Sequence, residues 1–83
     1  MNITKLEQEL INTIACNEYG DDITDAKWFW SVSDDFGHAA QISGVVSSLK
    51  KKGLVDVDSQ HSKYEHVIWL TDAGAELAVY EYE

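Results

Sequence analysis

The chain has no arginine, no proline and a single cysteine among its 83 residues. Arginine is the side chain that most often reads guanine in the major groove, and it grips phosphate with two parallel hydrogen bonds. Any nucleic-acid contact therefore falls to six lysines. Cys16 alone cannot close an internal disulfide, so the chain is expected to be reduced and cytoplasmic. No apolar run approaches the ~20 residues of a membrane-spanning helix, and the N-terminus lacks the basic-then-apolar layout of a signal peptide. No repeat, linker or low-complexity tract divides the sequence, so residues 1–83 are expected to form one domain around one small core.

What is present is acid and apolar surface. Hydrophobic residues make up 45% of the chain and aromatics 11%, which argues for a folded globule over a disordered chain. The net charge is −9, and it is unevenly placed. Residues 1–35 hold eight acids and two lysines; residues 67–83 hold four acids and no base. Residues 36–66 hold three acids, four lysines and all three histidines, so this middle third alone is not anionic.

Along the chain, Thr4 to about Asn17 reads as a helix whose core stripe is Leu6, Leu10 and Ile14 with Ile3 beside them. Glu7 and Glu9 sit near its positive end. Cys16 falls within this apolar helix and is expected to pack in the core. Ile23 is the candidate for a short first strand. Thr24 is read as the cap of a second helix with Asp25 in its first turn. On that helix Trp28, Phe29, Val32 and Phe36 share a face, and Trp30 points away with Lys27 and Asp34. Trp30 then either wraps the edge of the core or anchors a protein interface. Residues 34–38 read as a tight turn.

The stretch Gln41 to Val55, QISGVVSSLKKKGLV, organises the rest. At 100° per residue Ile42, Val45, Val46 and Leu49 fall on one side, and Ser43, Gly44, Ser47, Ser48 and Lys51 on the other. The lysines complement the negative helix end, and Gly53 is placed for a left-handed stop. Residues 54–58 read as a strand, 59–63 as a polar turn and 64–70 as the return strand. Val55 and Val57 then share a face with Ile68 and Leu70, while Asp56, Asp58, Glu65 and Val67 lie opposite with Trp69. Thr71 and Asp72 open a last helix, with Leu77 and either Val79 or Tyr80 returning to the core. Helix, LxxKGLV, hairpin, LTxAGxxL: over residues 40–77 this resembles the winged helix-turn-helix family, the MarR-like group in particular. The resemblance implies an α+β domain with a three-helix core, a β-hairpin wing and a C-terminal helix.

No catalytic constellation emerges, and the chain is not expected to be an enzyme. There is no phosphate-cradling glycine loop and no nucleophile set beside a histidine at a recognised spacing. His61 and His66 flank a turn with His38 far off in sequence, too few ligands for structural zinc, so no metal or cofactor is expected. The paired acids Asp21-Asp22 and Asp34-Asp35 read as solvated turns.

Binding remains. The resemblance implies double-stranded DNA, with Ser43, Gly44, Ser47 and Ser48 facing the groove, Lys50, Lys51 and Lys52 near phosphates, and His61 and Lys63 on the wing. The missing arginines depart from the MarR-like pattern, and serine discriminates poorly among bases. Four lysines limit the salt dependence of binding to a log–log slope of about −3.6. Useful affinity then calls for a homodimer or a second protein. This reading makes the chain a small transcriptional regulator of phage or mobile-element type. The alternative is an acidic protein-interaction module, with Trp30 or Trp69 at the contact. In one form it is a DNA mimic that occupies a basic nucleic-acid-binding protein.

Overall fold

The computed structural model describes residues 3–17, 22–58 and 67–78. They form a small α+β unit in the order α1 (Lys5–Cys16), β1 (Lys27–Trp28), α2 (Phe29–Phe36), α3 (Ile42–Lys51), β2 (Val55–Asp58), β3 (Val67–Leu70) and α4 (Asp72–Leu77). The strands make one antiparallel sheet in the order β1-β3-β2. Among the described residues no helix is long and apolar enough to cross a membrane.

The core lies where α1, α2 and α3 meet one face of the sheet. Leu10, Ile11 and Ile14 of α1, Val32 and Phe36 of α2, and Ile42, Val46 and Leu49 of α3 close on Leu54, Val55, Ile68 and Leu70. Each fully buried Leu or Ile is worth about 1.5–3 kcal/mol of transfer free energy, before chain entropy is charged against it. The register matches the alternation: Val55 faces Leu70 and Val57 faces Ile68, with Asp56 opposite Trp69 and Asp58 opposite Val67. On α1 the buried stripe is broader than expected, because Ile11 and Ala15 join it and Leu6 is only half-buried. Cys16 corrects the expectation of a core thiol: it is exposed, one step beyond the stripe.

The segment before α2 differs most from the sequence reading. Asp22 and Asp25 fold into a turn, with the Asp25 N–H donating to the Asp22 carbonyl at 3.1 Å and the Asp22 N–H to the Asp25 carboxylate at 2.9 Å. Thr24 therefore caps nothing. The strand falls at Lys27–Trp28, not Ile23, because only there does the chain reach β3, pairing Lys27 with Ile68 and Trp28 with Val67. α2 begins at Phe29 and continues through residues expected to be a turn, ending where Gly37 takes φ +76°. Trp28, expected in the core, is 38% exposed at the strand end.

Lys27, expected in solvent, is 1% exposed. Its ammonium donates to the carbonyls of Asp22 (2.8 Å) and Ile23 (2.9 Å), so a buried cation closes the turn. Burial pushes its pKa below the usual 10.5, against the opposing pull of Asp25 and Asp22. Because the ammonium is disfavoured by burial and its stem fills core volume, Lys27→Met is expected to change stability by less than about 1.5 kcal/mol. Lys27→Ala, which empties the site, is expected to lose about 2–4 kcal/mol. Urea unfolding of both variants checks the ordering; equal losses would mean that the charge, not the stem, holds the turn.

Candidate nucleic-acid interface

α3 is placed by its C-terminal end. Its C-terminus closes as the sequence predicts: the Gly53 N–H donates to the Lys50 carbonyl and the Leu54 N–H to the Leu49 carbonyl, both at 3.0 Å. Gly53 sits at φ +74°, the left-handed residue such a stop requires. This turn delivers Leu54 and Val55 straight into the sheet and fixes β2 beside α3.

The polar side of α3 divides into two faces. Ser43, Gly44, Ser47, Lys50 and Lys51 are exposed, and no acid lies on the helix. Ser43, Ser47 and Lys50, at i, i+4 and i+7, line a half-open groove of about 390 Å³ whose apolar walls are Phe29, Ile42, Val46 and Val57. Ser48 and Lys52 turn the other way, toward α1. The Lys52 ammonium donates to both carboxylate oxygens of Glu7, at 2.8 and 2.9 Å, and the Ser48 hydroxyl donates to the same carboxylate at 2.7 Å. The triple lysine is thus not one basic strip: Lys50 and Lys51 face solvent, while the charge of Lys52 is matched by Glu7.

Glu7 is the residue beside the candidate face whose role the sequence reading missed: it holds α1 against α3. It is 2% exposed and closes a capping box, accepting from the Thr4 N–H at 2.7 Å while the Thr4 hydroxyl accepts from the Glu7 N–H at 3.1 Å. Burial pushes its carboxyl up. The Lys52 ammonium, the Ser48 hydroxyl and the Thr4 N–H together outweigh that and hold it at about 2, against an ordinary 4.5. The Thr-x-x-Glu spacing was a visible sign of the cap. No local sequence sign announces the partners 41 and 45 positions away.

The remaining candidates scatter. Trp30 is 51% exposed on the side of α2 opposite its buried residues. Trp69 is half-buried on β3. His61 and Lys63 lie outside the described residues, as do the whole expected turn at 59–63, His66, Val79 and Tyr80. His38 meets Glu9 at 3.2 Å and packs edge-on against Phe36. Among the described residues no three His, Cys, Asp or Glu side chains gather as a metal-binding set. Compared with known protein families, with curated proteins and with solved structures, this chain finds no match.

Proposed function

We propose that the domain is a winged helix of MarR-like type that binds double-stranded DNA through α3, as a small transcriptional regulator. The element order and the β1-β3-β2 sheet support that fold. One observation carries the DNA reading: in a chain of net charge −9, the exposed arc of α3 presents two serines and two lysines and no acid. Exposed acids further than about 8–10 Å from those lysines are largely screened at physiological salt, so the net charge does not by itself oppose binding. Serines on the groove-facing side hydrogen-bond base edges with little discrimination, and Lys50 and Lys51 sit where the helix end approaches phosphate.

The pairing of Lys52 with Glu7 leaves Lys50 and Lys51 as the exposed cations of α3, and the sequence adds Lys63 to the proposed footprint. Binding to random duplex DNA should then fall with salt at a log–log slope no steeper than about −2.7. Lys50→Gln with Lys51→Gln is expected to remove most of that slope, as read by fluorescence anisotropy at low and moderate salt. Absence of binding at low salt, where attraction is strongest, would overturn the reading. A per-chain footprint this small calls for two copies or a partner protein on the DNA. The alternative role, an acidic module that binds a basic protein, is favoured by a different observation, the exposed indole of Trp30.

A further inference from the structure

We propose that the outward face of α2 is a docking surface for an arginine-rich segment of a partner protein, with Trp30 and Asp34 as its two contact groups. This deepens the protein-interaction alternative and does not depend on the DNA reading. Neither residue lines the groove beside α3.

α2 buries Ser31, Val32 and Phe36. On the opposite side stand Trp30, 51% exposed, and Asp34, exposed one turn later, with Ser33 half-buried between them. Indoles are on average well covered in folded domains, and tryptophan is the side chain most enriched among interface hot spots.

Charge selects the occupant. Residues 1–35 hold eight acids and two lysines, and one of the two, Lys27, is interior and faces backbone carbonyls. A phosphate backbone approaching α2 would meet Asp34 and Asp35 instead of cations. A second copy related by a two-fold axis would set those same carboxylates against each other. A guanidinium fits both groups: its plane stacks on the indole, and its N–H fork reaches a carboxylate one helical turn away. Lysine supplies the charge without the planar stack, so arginine is expected to be preferred.

A fluorescein-labelled oligo-arginine peptide, with oligo-lysine beside it, tests this on the intact chain. The arginine peptide is expected to bind the more tightly. Trp30→Ala is expected to weaken its binding about fivefold, the scale of a partly desolvated cation–π contact. Asp34→Asn is expected to weaken it about threefold, whereas Glu76→Gln, which removes one exposed charge from α4, leaves it unchanged. Equal binding by wild type and Trp30→Ala overturns the proposal, as do equal effects of Asp34→Asn and Glu76→Gln, which would reduce the attraction to net charge. Self-association in sedimentation equilibrium that Trp30→Ala abolishes would assign the face to a second copy and also overturn it. Asp34→Asn leaves the apolar packing alone, so it decides the matter even where Trp30→Ala lowers the melting temperature. DNA affinity should be the same in all three variants, so failure here and failure of the DNA reading are told apart.

Discussion

Glu7→Ala is expected to lower the unfolding free energy by about 3 kcal/mol at neutral pH, toward the lower end of what removing one member of a buried ion pair does. The lower end is chosen because the Lys52 side chain is 30% exposed and partly rehydrates once its partner is gone. Ser48 and the Thr4 N–H lose an acceptor as well. Glu7→Gln keeps the shape and one acceptor oxygen, so about half the loss is expected. The pH dependence separates charge from packing. Unfolded, this carboxyl titrates near 4.5; folded, it is held at about 2. Between those values the unfolded chain binds the extra proton, so the stabilisation is complete above about 4.5 and disappears as pH falls toward 2. Urea unfolding of wild type and Glu7→Gln should therefore differ at pH 7 and converge through that window. A constant gap across it would show that the carboxylate's charge contributes nothing. In Glu7→Gln the Lys52 ammonium also loses the carboxylate charge that matches it, and on the proposed DNA reading the salt slope steepens by up to about 0.9.

The parts of this molecule that were legible in sequence are those where one local signal decides the outcome. The alternation in VDVD and VIWL set the β2–β3 register, and a four-residue apolar seam followed by lysines and Gly53 set α3 and its stop. The segment from Asp22 to Trp28 was illegible because its outcome is tertiary. A lysine reads as surface until backbone carbonyls and β3 enclose it, and a threonine before an aspartate reads as a helix cap until a turn consumes the aspartate. The candidate DNA face was half legible for the same reason. Wheel geometry places Ser43, Ser47 and Ser48 on one polar side, but only the packing of α1 against α3 reveals that Ser48 and Lys52 spend their hydrogen bonds on Glu7. Cys16 shows the converse error, where proximity to an apolar stripe was mistaken for membership of it.

Gly74→Ala carries the other large expected effect, and its sign runs against helix propensity. Within a helix, alanine in place of glycine ordinarily gains about 1 kcal/mol. Gly74 is buried in the first turn of α4, and a Cβ there would collide with the carbonyl oxygen of Leu54. That carbonyl cannot move freely: it accepts the Thr71 N–H at 3.1 Å, while the Thr71 hydroxyl donates to the Gly53 carbonyl at 2.6 Å and accepts the Gly74 N–H at 3.2 Å. The threonine and glycine of LTxAG are thus a latch that holds α4 against the KGL turn leaving α3. Making room for one methyl group means opening the latch, and a loss of about 3 kcal/mol is expected. Gly44→Ala is the matched control. Gly44 is the third residue of α3, as Gly74 is of α4, but it is exposed with nothing near its added Cβ, so the ordinary gain of about 0.5–1 kcal/mol is expected. Denaturant midpoints that move in opposite directions establish that backbone contact, not propensity, requires glycine at position 74. Midpoints that both rise would mean that α4 does not pack on Leu54 at this distance, and the latch would have to be abandoned.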